Sequence, residues 1–211
     1  MAMHRRERIG AARAPLPLLI GFALFVIALG YMLVASVARR DAPVFTPSPV
    51  SRVRAPQWAL HGDTLTLDAT DGDRWRRATL GLGRPLAEHD TVRWDVAARR
   101  YRITVAGAIA DLGPVPFDRA VIPPSARFVA STTTEMENDA MRRWYRYSLV
   151  THLLTPNGHV YALRSVDGET WKLQPLGYYC PGLTPGCFTF RYAPLERGAS
   201  ARAQGSSAGR P

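Results

Sequence analysis

The sequence is short of the residues and motifs that carry most enzyme chemistry. Among its 211 residues it has two cysteines, five histidines and a single lysine, Lys172, although 27 residues are basic. It contains no Gly-x-Ser-x-Gly, no His-Glu-x-x-His, no P-loop and no glycine-rich dinucleotide fingerprint after a strand pattern. We therefore predict that the protein is not an enzyme.

The positive charge lies mainly at the two ends of the chain. The formal net charge is +10, to which residues 1–40 contribute +5, residues 194–211 contribute +2 and residues 41–193 contribute +3. A nucleic-acid-binding protein concentrates its basic excess on the folded domain. The sequence therefore predicts no nucleic-acid partner.

A long apolar run extends from Leu16 to Ala38 without a charged residue. A helix of this length rises about 35 Å, which is enough to cross a hydrocarbon layer of roughly 30 Å. Because arginines precede the run, the positive-inside rule places residues 1–15 in the cytoplasm as a basic tail. We predict a single-pass signal anchor over residues 16–38 in the inner (cytoplasmic) membrane, with the rest of the chain in the periplasm.

A cleaved signal peptide is the alternative interpretation of this run. The apolar region of such a peptide usually spans about 7–15 residues, but Ser36-Val37-Ala38 resembles a cleavage site with small residues. Cleavage after Ala38 therefore stays open, whereas the absence of a cysteine near the end of the run excludes a lipoprotein.

The remaining chain divides into three segments. Residues 39–57 contain four prolines and are typical of an extended linker. Residues 58–193 are the predicted exported domain. Residues 194–211 are rich in Gly, Ser, Ala and Arg and cannot bury a core, so we predict a disordered tail.

Alternation with a period of two dominates the predicted domain. Leu65 and Leu67 alternate with polar residues, and Phe188, Phe190 and Tyr192 share one face of another run. The sequence therefore predicts an all-β fold, an antiparallel sheet or sandwich, preceded by a single N-terminal transmembrane helix.

Two dipeptides between these runs are turn signals. Asp167-Gly168 predicts a hairpin, because both turn positions accept a positive φ at low cost. Asn157-Gly158 gives the same signal one connection earlier.

The two cysteines, Cys180 and Cys187, flank a loop with two Pro-Gly pairs that lets the chain double back. In an oxidising compartment they are expected to form one structural disulfide. Two thiols without a nearby histidine make a poor zinc site, and the redox spacing Cys-x-x-Cys is absent.

The histidines offer the one candidate for a ligand site. His152 and His159 bracket a short connection that can bring both imidazoles to one edge of the sheet. Neutral imidazole is a good ligand for haem iron, so both are candidate haem ligands, although ordinary strand and loop roles are the alternative. The absence of Cys-x-x-Cys-His excludes covalent c-type haem. No other metal site is predicted, because the acidic cluster of Asp68, Asp71 and Asp73 lacks the closing glutamate of a calcium loop.

Two groups of motifs resemble the HmuY-like proteins. They comprise residues 67–70, Trp75 and residues 94–103 in the first half, and residues 160–168, 171–173, 178–179 and 188–192 in the second. The resemblance covers about residues 58–193. It implies an all-β fold and a non-catalytic haem-binding role in the cell envelope.

This chain departs from the founding members of that family in two respects. Those members are typically lipid-anchored, and the Cys180–Cys187 loop is not part of their pattern. The shared motifs, among them Trp94-Asp95 and Asp167-Gly168, are structural and contain no iron-ligating histidine. The assignment of His152 and His159 therefore does not come from the resemblance.

The motif residues also have expected roles in stability. Each large indole buries about 150–250 Å², so we expect one core to contain Trp75, Trp94, Trp144 and Trp171, with the lining of a pocket for a flat ligand as the alternative. Asp95 is expected to accept hydrogen bonds from the backbone or from Arg99 or Arg100, and so to tie two strands together.

Two functions fit these observations. The first is an envelope protein, anchored in the membrane through Leu16 to Ala38, that binds haem or another tetrapyrrole without catalysis. The second is a non-catalytic scaffold or interaction module that contacts another envelope protein and takes no haem.

Overall fold

The structure is a computed structural model that describes residues 15–37, 42–50, 63–131 and 136–195. The predictions for the basic tail up to residue 14, for cleavage after Ala38 and for the tail from residue 196 fall outside the described residues. The described residues form two compact units. One contains the N-terminal helix and Leu149–His152, and the other contains the rest.

The N-terminal helix, α1, spans Leu16–Val37. Pro17 lies in its first turn, where a proline costs no helical hydrogen bond. None of its 22 residues is charged or buried. Within the described part of the chain, α1 is the one helix with the length and composition of a membrane span, and an N-terminal signal sequence shares those properties.

The described residues of the second unit form twelve strands. In chain order they are β1 (Asp63–Asp68), β2 (Arg76–Thr79), β3 (Arg84–Pro85), β4 (Val96–Arg99), β5 (Arg102–Val105), β6 (Ala108–Asp111), β7 (Val129–Ala130), β8 (Tyr145–Tyr147), β9 (Leu154–Pro156), β10 (Tyr161–Arg164), β11 (Thr170–Cys180) and β12 (Thr184–Pro194). They form a six-stranded sheet in the order β1-β12-β11-β10-β6-β7, a four-stranded sheet in the order β3-β2-β4-β5 and the hairpin β8-β9.

All the pairings between these strands are antiparallel. The predicted all-β fold with one N-terminal helix is therefore confirmed. The two larger sheets share one core, in which Leu67, Phe188 and Phe190 of the first sheet meet Val96 and Ile103 of the second. This alternation of apolar residues on the inner faces is what the period of two predicts.

Trp144 lies in this core with no exposed surface. Its ring lies 5.1–6.0 Å from the rings of Tyr145, Tyr178 and Phe188, in edge-to-face contacts. Its Nε1 donates a hydrogen bond of 2.8 Å to the carbonyl of Tyr101. This bond gives the buried indole N–H the partner that it requires.

The disulfide prediction is confirmed. Strands β11 and β12 form a long hairpin, and the Cys180–Cys187 disulfide joins them close to its turn, with the two Cα atoms 5.0 Å apart. Gly182 and Gly186, in the loop between them, have φ values of 75° and 129°. The Pro-Gly pairs thus supply the positive φ angles that close the loop.

One of the two turn signals predicts a hairpin correctly. Asp167-Gly168 connects β10 to β11, and Gly168 has a φ of 83°. The hairpin expected at Asn157-Gly158 is wrong, because β9 pairs with β8 whereas β10 pairs with β11 and β6. This turn instead connects two separate sheets. The Asn157 side chain donates a hydrogen bond of 2.7 Å to the carbonyl of Arg143.

Part of the predicted linker lies on the domain. Residues 42–50, which we call the strap, run along the six-stranded sheet, where Val44 forms a parallel bridge with Tyr179. The backbone N–H of Phe45 donates to the carbonyl of Tyr179 at 2.8 Å. This stretch is therefore bound to the sheet and does not act as a free spacer.

Candidate functional site

Asp95 occupies a structural position between the two larger sheets. It is 8% exposed. Its Oδ2 accepts a hydrogen bond of 2.7 Å from the backbone N–H of Leu80, and its Oδ1 accepts one of 2.8 Å from the hydroxyl of Ser165. The carboxylate therefore joins the four-stranded sheet to the turn that follows β10.

The arginine partners expected for Asp95 lie elsewhere. The guanidinium of Arg99 lies 4.7 Å from the centroid of the Trp75 ring, and that of Arg100 donates to the carbonyl of Thr70 at 3.3 Å. A buried carboxylate is satisfied by fixed neighbouring donors such as a backbone N–H and a hydroxyl, whereas a long arginine side chain loses entropy when it is ordered.

The Asp167-Gly168 turn is held by its own polar groups. The N–H of Gly168 donates to the carbonyl of Ser165 at 3.0 Å, and the carboxylate of Asp167 pairs with Arg93. Arg93 immediately precedes Trp94, so this surface ion pair and the buried Asp95 contacts connect the same two segments.

His159 has a fixed orientation beside the paired ends of β10 and β6, two interior strands of the six-stranded sheet. Its Nδ1 lies 2.9 Å and 3.0 Å from the two carboxylate oxygens of Asp111, at the end of β6. Because a carboxylate only accepts hydrogen bonds, Nδ1 carries the proton and Nε2 of the neutral ring keeps its lone pair. The His159 side chain is 31% exposed, so an external ligand can reach the ring.

Further polar contacts hold the surroundings of this histidine. The backbone N–H of His159 donates to Oδ1 of Asn157 at 2.8 Å, and Nδ2 of Asn157 donates to the hydroxyl of Tyr161 at 3.1 Å. Burial raises the pKa of Tyr161 well above its usual value near 10, so the hydroxyl stays protonated. Asp111 also accepts a hydrogen bond from the N–H of Gly113 at 2.8 Å, which fixes the carboxylate that orients the imidazole.

His152 lies in the other unit. It is exposed and has a φ of 56°, a left-handed conformation that few residues other than glycine adopt. The expectation that His152 and His159 act as a pair therefore stays a prediction.

The expectation of a four-tryptophan core is partly wrong. Trp144 and Trp171 are buried, but Trp75 and Trp94 are half-buried and line a cleft of about 240 Å³ beside the four-stranded sheet. Trp75 comes just before β2 and Trp94 lies in the loop before β4, so both lie at an end of their strand. Periodicity in the sequence marks neither position as a cleft residue.

The acidic cluster is engaged in local contacts. Asp68 accepts hydrogen bonds from the backbone and hydroxyl of Thr70, and Asp71 lies within 3.8 Å of Arg74 and Arg76. Among the described residues, no group of three or more His, Cys, Asp or Glu residues is placed to hold a metal ion.

This architecture is similar to that of several solved structures. No protein-family model matches the chain, and no curated protein matches it. Among solved structures, one from Bacteroides vulgatus, assigned as an HmuY-like haem-binding protein, has a TM-score of 0.56 at 19% identity. That match covers 70% of this chain and all of the other chain. This chain has an HmuY-like fold.

Two further structures agree with the HmuY-like fold. The apo HmuY analogue of Tannerella forsythia has a TM-score of 0.55 at 14% identity, with 64% of this chain and 96% of that chain covered. A lipoprotein from Bacteroides fragilis has a TM-score of 0.53 at 23% identity, with 65% and 94% covered. Identities this low show a common fold and do not transfer a ligand or a site.

Proposed function

We propose that this protein is a non-catalytic envelope protein whose HmuY-like domain binds haem without a covalent bond, and that His159 would be one ligand of the haem iron. In this proposal α1 anchors the chain in the inner membrane, the N-terminus is cytoplasmic and the β domain lies in the periplasm. The observation that carries the proposal is the contact between Nδ1 of His159 and both oxygens of Asp111.

The His159–Asp111 pair fits the ligand side of a haem site. Histidines that bind metals almost always donate their second ring N–H to a carboxylate, a carbonyl or a water molecule. Asp111 takes that place, so Nε2 is the ring nitrogen left to bind a metal. Haem bound there would supply the iron chemistry, while His159 would hold the iron and Asp111 would orient the ring.

The names of the fold neighbours support the same ligand class, since one is assigned as haem-binding and another is an HmuY analogue in its apo form. Neither is described as an enzyme, which favours a binding role for this chain. His152 stays the second ligand candidate from the sequence.

The experiment is a hemin titration of the full chain in detergent, followed through the Soret band. We expect the wild-type protein to shift the band at a one-to-one ratio, and His159→Ala to lose the shift. Detergent dissolves hemin by itself, and the spectral change that this causes does not depend on any one histidine. The matched control is therefore His89→Ala, which removes an exposed imidazole from a surface loop and is expected to leave the titration unchanged.

Asp111→Asn separates orientation of the ring from ligation. It is expected to weaken hemin binding by roughly 10-fold to 100-fold, the usual effect of changing the group that accepts the second ring N–H of a metal-binding histidine. His152→Ala tests the second candidate in the same assay. Identical titrations of wild type, His159→Ala and His89→Ala would overturn the haem proposal and leave the scaffold function as the better account.

A further inference from the structure

The cleft beside the four-stranded sheet is chemically distinct from the His159 region. Two segments line it, residues 73–77 before and within β2 and residues 86–94 after β3, and its volume is about 240 Å³. Pockets for drug-sized ligands measure roughly 300–1,000 Å³, so this cleft is too small for a porphyrin and has the size for one small ring.

Two half-buried indoles give the cleft flat apolar surfaces. The guanidinium of Arg99 lies 4.7 Å from the ring centroid of Trp75, and that of Arg77 lies 5.8 Å from the ring centroid of Trp94. Such cation–π contacts hold the rings in place. The cleft therefore presents aromatic surface that is ordered before any ligand arrives, which reduces the entropy cost of binding.

The positive and negative charges of the side chains that line the cleft cancel. Among the described residues, the charged side chains that line it are three acidic and three basic, namely Asp73, Glu88, Asp90, Arg74, Arg76 and Arg77. Nη1 of Arg74 donates to both oxygens of Glu88 at 3.1 Å and 3.2 Å, and the largely buried pair of Arg84 and Asp90 lies at 2.7 Å. With no net charge, the lining favours a neutral ligand over an anion or a cation.

A donor in the lining also lacks a partner. The Nε1 of Trp75 is buried without a hydrogen-bond partner among the described residues. Such a group costs free energy until an acceptor reaches it. This atom has almost no exposed surface, so a ligand hydroxyl can accept its hydrogen bond only after a small movement of the Trp75 indole.

We infer that this cleft binds one neutral sugar ring. A pyranose has an apolar C–H face that fits against an indole and a rim of hydroxyls that both donate and accept hydrogen bonds. The carboxylates and guanidiniums around Trp75 and Trp94 are planar groups that can bond adjacent hydroxyls. This inference does not depend on haem binding, because it concerns different residues and a different ligand class.

The test is a nuclear magnetic resonance titration that follows the tryptophan indole N–H signals of the full chain in detergent micelles. The probes are methyl β-D-glucopyranoside and N-acetylglucosamine, and the control compound is sorbitol, an open-chain polyol without a ring face. We expect both sugars to shift the Trp75 and Trp94 signals with increasing concentration and sorbitol to shift neither. The Trp144 signal is the internal control, since that indole is fully buried and hydrogen-bonded to Tyr101.

Variants of Trp94 then assign the binding surface. Trp94→Phe keeps an aromatic face and is expected to retain binding, whereas Trp94→Leu keeps apolar volume without the flat ring and is expected to lose about tenfold in affinity. An unchanged Trp144 signal shows that each variant is folded. Equal shifts with sorbitol, no shift of Trp75 and Trp94 with either sugar, or full affinity in Trp94→Leu would each overturn the inference.

Discussion

Single residues explain why the shared motif around Asp95 is structural. This carboxylate accepts one hydrogen bond from the backbone of one sheet and one from a side chain that follows a strand of the other. Both donors are buried, so neither has water as an alternative partner. A buried acceptor between two sheets stabilises their relative position more than an exposed ion pair does.

Asp95→Ala is therefore expected to lower the free energy of unfolding by about 2–4 kcal/mol, because the Leu80 N–H and the Ser165 hydroxyl lose their acceptor inside the protein. Urea denaturation of the full chain measures the change. The matched control is Asp167→Ala, which removes an exposed carboxylate and is expected to cost less than about 1 kcal/mol. Equal losses in the two variants would contradict this account.

His159 is also held by fixed neighbouring polar groups, although it lies nearer the surface than Asp95. Asp111 fixes the ring through Nδ1 and Asn157 fixes the backbone, so the histidine needs no ligand to be ordered. The contact with Asp111 thereby determines which nitrogen of the imidazole lies away from the carboxylate.

At the scale of elements, the strap is the clearest departure from a simple sheet. Within residues 42–50, Phe45 lies against β11 at Gly177, which has no side chain, and Ser48 exchanges hydrogen bonds of 3.0 Å with the backbone of Thr66 on β1. A Cβ added to Gly177 would lie 2.3 Å from Cε2 of Phe45. The glycine thus makes room for the aromatic ring of the strap.

Gly177→Ala is expected to displace Phe45 and to increase amide hydrogen exchange at the Phe45 N–H, which is bound to the Tyr179 carbonyl at 2.8 Å. Hydrogen-exchange mass spectrometry of residues 42–50 measures the effect. Combining Gly177→Ala with Phe45→Ala is expected to restore space at the contact. Gly72→Ala is the matched control, because its nearest neighbour would be the Arg100 side chain at 3.8 Å. Unchanged exchange in Gly177→Ala would show that the strap is not held by this contact.

At the scale of the whole molecule, the disulfide and the apolar helix are two independent indicators of the proposed location. The helix has the length and composition of a membrane span, and the cysteines are placed to pair. Persistent disulfides are typical of exported proteins, because cytosolic thiols are kept reduced.

In intact cells we expect Cys180 and Cys187 to be oxidised. Acid quenching followed by thiol alkylation and a gel-shift measurement reports their state, with a sample reduced before alkylation as the control. Fully reduced cysteines at steady state would place the domain in the cytosol and contradict the proposed export. In the purified chain, reduction is expected to lower the free energy of unfolding by about 2–3 kcal/mol, as for a short disulfide loop.

The sequence by itself determined the features that depend on local pattern. Alternation fixed the strands around Leu67 and Phe190, a dipeptide with accessible positive φ determined the hairpin at Asp167-Gly168, and the short Pro-Gly loop brought the two cysteines together. A long uncharged run was sufficient to identify the helix Leu16–Val37. Each of these depends on neighbours within a few positions along the chain, and the motifs that resemble HmuY-like proteins are of the same kind.

Only the tertiary structure decided which distant residues meet. Asp111 reaches His159 because β6 pairs with β10, and no spacing in the sequence encodes that pairing. Trp75 and Trp94 line a cleft at the ends of their strands, where two segments that are distant in sequence come together. The turn at Asn157-Gly158 joins two sheets for a similar reason, since the partner of a strand is determined by packing across the whole domain.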